Sequence, residues 1–106
     1  MVTFDEFNRI DIRIGSVLSA EKIEGTDKLL KLEVDIGSEK RTLAAGIADR
    51  YTPEDLQGKQ IPILVNLEPK TIKGVESQGM ILVAEFGNDY VLLKPERDVP
   101  PGTKVR

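Results

Sequence analysis

The sequence predicts an all-β domain: a five-stranded barrel with short helices and a C-terminal extension. Three observations predict it. Apolar residues recur at every second position in several runs, the mark of half-buried strands. Glycine-centred turns separate those runs at short intervals. One well-capped helix signal falls between the third and fourth runs. The chain has 106 residues, 40% of them hydrophobic, which suffices for one core, so residues 1–106 read as a single domain.

The elements follow in order. Thr3-Phe4-Asp5-Glu6 has the spacing of a capping box and predicts a short helix through Asn8. Ile10, Ile12, Ile14, Leu18 and Ala20 then alternate with Asp11, Arg13, Gly15, Ser19 and Glu21, a long strand with Gly15 as its bend or bulge. Glu24-Gly25-Thr26-Asp27 turns the chain. A second strand sets Leu30, Leu32, Val34 and Ile36 inward against Lys31, Glu33 and Asp35. Gly37-Ser38 leads to a third strand, Lys40 to Ala45. Thr52 as N-cap, Pro53 at the first helical position and Glu54 and Asp55 in the first turn predict a second helix, which Gly58 ends. Ile61 to Leu67 is a fourth strand, apolar on both faces, whose first residues lie at an edge because of Pro62. A polar loop from Lys70 to Met80 precedes a fifth strand, Met80 to Glu85. Gly87-Asn88-Asp89 makes a hairpin into Tyr90–Leu93, and Val99-Pro100-Pro101-Gly102 closes the domain. Five strands with a helix between the third and fourth is the order of an OB-fold barrel, although strand count alone fits other small barrels.

Composition removes several classes of function. Zero Cys and zero His take away the usual zinc and iron–sulfur ligands and the commonest general base, so neither a metal nor a cofactor is expected. Zero Cys also fits a cytoplasmic location. No apolar run approaches the roughly 20 residues of a membrane span, and the acidic N-terminus lacks the plan of a signal peptide. Asp11 and Asp35 sit on neighbouring strands, but as outward carboxylates they read as partners of Arg13, Lys31 or Arg41. Ser77 has no nearby base. There is no phosphate-binding Gly-rich loop and no nucleophile elbow. No catalytic site is expected.

The net charge is −3, yet residues 1–35 carry all of it and the remainder is neutral, so a local basic face is compatible with an acidic chain. Lys31 and Arg41 point outward from strands two and three, the sheet that OB barrels offer to nucleic acid. Lys70 and Lys73 sit in the loop after the fourth strand, where rigid strands hold binding residues. A plain solvated surface fits the same residues, since Glu33, Asp35 and Glu39 are interleaved. The aromatics Phe4, Phe7, Tyr51, Phe86 and Tyr90 all lie off this face. That argues against a general single-strand binder, which needs stacking platforms. It leaves recognition of a folded RNA through backbone and shape.

Ile10-Asp11-Ile12-Arg13-Ile14-Gly15, Asp27-Lys28-Leu29-Leu30, Val34-Asp35-Ile36-Gly37, Ala45-Gly46-Ile47, Asn66-Leu67 and Gly74-Val75-Glu76-Ser77-Gln78-Gly79-Met80 occur in that order. With them the chain, from Phe4 to Lys104, resembles the tRNA-binding OB-fold domain found at the C-terminus of many methionyl-tRNA synthetases and as free-standing structure-specific tRNA-binding proteins. The resemblance implies sequence-independent binding of tRNA by its folded shape, as a C-terminal domain or separate subunit of a methionyl-tRNA synthetase, without catalysis of its own. It implies RNA contacts at Asn66, Ser77, Gln78 and Met80, to which charge and placement add Lys31, Arg41, Lys70 and Lys73. Met80 as a core residue, and Gly74 and Gly79 as turn formers, are the structural alternatives. The resemblance further implies a homodimer, for which Phe4, Phe7, Val91, Leu93 and Val99 are the expected interface. A related branch resembles an export chaperone that binds peptides in a dimer groove. That branch departs from Ser-Gln-Gly-Met, which this chain keeps.

Overall fold

A computed structural model describes residues 1–106. Ten strands and two short helices run α1 (Phe4–Asn8), β1 (Ile12–Lys22), β2 (Leu30–Asp35), β3 (Lys40–Ala45), α2 (Pro53–Leu56), β4 (Gln60–Leu64), β5 (Lys70–Ile72), β6 (Val75–Ser77), β7 (Met80–Ile81), β8 (Val83–Phe86), β9 (Asp89–Leu92) and β10 (Lys104–Val105). The main sheet has the path β3-β2-β1-β4-β7, and β3 lies back against β6 and β7. This is the OB-fold barrel in its expected strand order, with β7 as fifth strand and α2 between the third and fourth. Both helices start at a threonine whose hydroxyl accepts from the third helical N–H while an acid reaches back to the cap N–H.

The core collects Val17, Leu30, Leu32, Val34, Leu43, Leu56, Ile61 and Ile63. The inward phase of β2 is the one its alternation predicts. In β1 the phase differs. Ile12 pairs with Leu64 of β4, while Ser16 to Lys22 pair with β2 on the other edge. The bulge falls between Val17 and Ser19, at Leu18, and not at Gly15. The extra residue turns Leu18 outward, 41% exposed, and brings Val17 and Ala20 to the core. Gly15 instead permits close packing, because a Cβ there would collide with Ile63 Cδ1.

Ile14 is buried outside the core cluster, under the C-terminal arm. That arm is part of the wall. Ile14 N donates to Thr103 O at 2.8 Å, Gly102 N donates to Ile14 O at 2.7 Å, and β10 pairs with β1. The Gln60 amide donates to Val99 O at 2.6 Å and accepts from Val99 N at 3.0 Å, as a strand backbone would. Gly102, at φ +87°, lies so close to the end of β2 that a Cβ would collide with Ile36 O.

Two further elements depart from expectation. The segment from Lys70 to Met80 is no plain loop but contains the β5–β6 hairpin. The fifth strand splits: Ile81 pairs with Ile63, and from Val83 the chain leaves the barrel to pair with β9. The β4–β7 pairing involves Ile63 and Leu64 only, which leaves Gln60–Pro62 at an edge where a proline costs no ladder bond. Leu43→Ala, at the centre of the core, is expected to cost about 2–5 kcal/mol in urea unfolding. Leu18→Ala should stay within about 0.5 kcal/mol because the bulge has exposed it. A large loss at Leu18 would contradict that placement.

Candidate nucleic-acid interface

β5 and β6 are joined by Lys73 and Gly74 at φ +50° and +80°, the two-residue turn whose twist matches a hairpin. Glycine, asparagine and aspartate suit the first of these positions. A lysine there holds a conformation costing about 1 kcal/mol or more. Lys70 and Lys73 are exposed and form no ion pair.

The hairpin is fixed to β3 largely by side chains. Gln78 N donates to Thr42 O at 2.9 Å. In return Thr42 N donates to Gln78 Oε1 at 3.1 Å, and Ala44 N donates to Ser77 Oγ at 3.0 Å. The Ser77 hydroxyl donates in turn to Gly79 O at 3.0 Å. Ser77 is 6% exposed, so its place is inside this seam. Arg41 Nη1 donates to Val65 O, and to Gln78 O at 3.1 Å, while Nη2 donates to Glu39 Oε1 at 2.9 Å. Arg41 thus ties the end of β4 to the hairpin. Gly79 passes the end of β4 closely: a Cβ would lie 2.8 Å from Leu64 O.

Asn66 performs a similar task at the other end of the segment. Its Nδ2 donates to Arg9 O at 2.6 Å and its Oδ1 accepts from Asp11 N at 2.9 Å. Asp11 is chelated by Arg13 through bonds of 3.0 and 3.1 Å, with Lys104 Nζ at 3.5 Å. The Arg13 hydrogen bond holds the Asp11 carboxyl below its ordinary range; burial opposes it, and the charges of Arg13 and Lys104 add smaller lowering effects. Asp35 accepts from Gly37 N at 2.8 Å and shapes the β2–β3 turn. The two aspartates therefore serve separate structural ends. No group of three or more acids gathers to hold a metal ion.

The sequence-predicted residues consequently divide. Lys31, Lys70, Lys73 and Met80 present side chains to solvent. Met80 is 45% exposed, which rejects the core alternative. Lys31 has only a loose ion pair, 3.8 Å from Glu21. Arg41, Asn66, Ser77 and Gln78 are engaged within the fold. Between the β2–β3 face and the hairpin lies an open crevice of about 350 Å3 lined by Lys31, Thr42, Gly74, Val75, Glu76 and Gln78. Sequence reasoning passed over Thr42 and Glu76. The alternation of Val75, Glu76 and Ser77 was the available signal, once that segment is recognised as a strand.

The side chains that frame this hairpin are those of the Gly-Val-Glu-Ser-Gln-Gly-Met run, and residues 12–104, which include it, match the family model described as "Putative tRNA binding domain". The chain belongs to the tRNA-binding domain family. The domain is 54% identical over 106 residues to a methionine–tRNA ligase of Methanothrix thermoacetophila and 47% identical over 104 residues to that of Thermotoga maritima. The matches cover 100% and 98% of the domain and 16% of either ligase, so it spans about one sixth of those chains. Among solved structures it is similar to a MetRS-related protein from Pyrococcus horikoshii, with TM-score 0.96, 45% identity and coverage of 100% and 98% of the two chains. It is also similar to the chaperone CsaA from Bacillus anthracis, with TM-score 0.91, 38% identity and coverage of 100% and 99%. The tRNA-binding domain is a non-catalytic module. None of its helices is long and apolar enough to cross a membrane.

Ser77→Ala removes the acceptor of the Ala44 N–H and leaves a backbone donor facing an apolar methyl. The expected loss is about 1–3 kcal/mol of stability. Amide exchange at Ala44 should accelerate more than at Leu32 in the core. Unchanged Ala44 exchange would mean that the seam does not depend on this hydroxyl.

Proposed function

We propose that the tRNA-binding domain holds folded tRNA by shape and backbone charge, without reading its sequence, on the face formed by β2, β3 and the β5–β6 hairpin. Lys31, Lys70, Lys73 and Met80 make the contacts, Gln78 adds its free amide nitrogen, and Arg41, Asn66 and Ser77 set the frame. The observation that carries this reading is the hairpin: two unpaired lysines, Lys70 on its first strand and Lys73 at strained φ on its turn, in a unit locked to the barrel. Strain retained at an exposed position points to a use for that side chain. Attached to a methionyl-tRNA synthetase as a C-terminal domain or separate subunit, the module raises the effective concentration of tRNA at the catalytic site.

Two copies widen a face whose net charge is unfavourable. Phe4, Phe7, Ile10 and Val105 line one apolar crevice, and Leu93, Val99 and Val105 another, so one exposed apolar surface runs through Val105. With Val91 nearby in sequence, this is the proposed homodimer interface. Sedimentation should give twice the mass of the chain, and Phe4→Asp/Leu93→Asp should halve it. A monomeric mass for the unaltered protein would sink the dimer.

The likeness to CsaA supports one other reading, a peptide-binding chaperone on the same fold. Salt separates the two. Binding of unfractionated tRNA should weaken steeply from low to moderate salt, and Lys70→Ala/Lys73→Ala should lower the slope by about one for each phosphate that is no longer neutralised. A folded domain that ignores tRNA at low salt, or binds it independently of salt, would move the peptide reading to first place.

A further inference from the structure

The crevice between the β2–β3 face and the hairpin contains a group that phosphate binding does not explain. Glu76 lines it, three residues after Lys73 on the same hairpin, and makes no ion pair. A surface that only attracted a polyanion would bind better without this carboxylate. Gln78 lines it too, its amide oxygen taken by Thr42 N–H and its nitrogen without a protein partner, while Lys31 lines the far side with its ammonium 3.8 Å from Glu21. The Thr42 hydroxyl is already committed, donating to Glu33 at 2.7 Å. Val75 supplies an apolar wall. The volume of about 350 Å3 is at the lower end of the range of small-ligand sites, roughly 300–1,000 Å3.

We propose that, beyond the shape and backbone hold described above, this crevice reads a single base, an unstacked guanine of the bound RNA; the inference rests on the RNA-binding reading and limits its indifference to sequence to the remaining contacts. An ionised carboxylate can only accept hydrogen bonds. Guanine alone among the four bases offers two adjacent N–H donors on its Watson–Crick edge, N1–H and N2–H. Adenine and cytosine set a lone pair beside their single amino group there, and uracil flanks its N3–H with carbonyls. Glu76 therefore accepts twice from guanine and repels the lone pairs of the others. Gln78 Nε2 donates to O6, the acceptor that guanine carries beside N1–H. Splayed bases of folded RNAs are read on this edge.

Glu76→Gln tests the idea by sign. Charge alone makes the variant bind tRNA more tightly. Guanine recognition makes it bind about fivefold or more weakly, the lower bound for removing a bidentate base contact, with the salt slope unchanged. Mononucleotides supply the second readout. GMP should shift the amide resonances of Val75, Glu76 and Gln78 more than AMP, CMP or UMP, with IMP, which lacks the N2 amino group, in between. Glu76→Gln should erase the preference while keeping a folded spectrum. Tighter tRNA binding by the variant, or equal or absent shifts for all the mononucleotides, would overturn the guanine site and leave salt-dependent tRNA binding standing. No tRNA binding by the unaltered domain would overturn both.

Discussion

An open edge on β3 is the constraint around which this barrel is organised. Thr42 N–H and Ala44 N–H point away from β2 and need acceptors. No strand of sufficient length is available, because β7 is only Met80–Ile81. Gln78 Oε1 and Ser77 Oγ supply the acceptors instead, standing where the carbonyls of a neighbouring strand would be. An unmet buried donor costs about 1–3 kcal/mol, a large share of the stability of a small domain. The seam therefore decides where the β5–β6 hairpin rests, and with it the position of Lys70, Lys73 and the crevice.

Side chains that brace the fold and side chains left to solvent are separate in this molecule. Ser77, Gln78, Arg41 and Asn66 direct side-chain hydrogen bonds to backbone groups far away in sequence. The exposed lysines and Met80 direct none. Arg41 shows the distinction best. Its charge and outward phase suggest a phosphate contact, yet its guanidinium joins Val65, Gln78 and Glu39. A planar five-donor group suits such a clasp better than lysine would.

What could be read from the sequence followed how local its cause was. β2 alternates cleanly and the helices carry capping boxes, so their limits and inward faces were legible. β3 was legible to the residue between its flanking turns. The phase of β1 was not, because isoleucines at 10, 12 and 14 look like a core face. Ile14 is instead covered by an arm some ninety residues later, and the phase shift comes from a bulge at Leu18 that no glycine marks. The Ser-Gln-Gly-Met run announced that its residues matter. Which of them turn inward depends on partners 33 to 37 positions away. The exposed carboxylate of Glu76 left no trace beyond ordinary charge.

The crevice shared by Phe4, Phe7, Val105 and Arg106 places both chain ends at one corner of the barrel. A covalent tether joined at either end leaves from that same corner. Such a module can exchange a leading attachment for a trailing one without rebuilding its working face. Ends that meet in this way also make a fold tolerant of re-joining and re-opening elsewhere. The geometry thus makes the unit portable: one piece of protein that different assemblies can wear in the same posture.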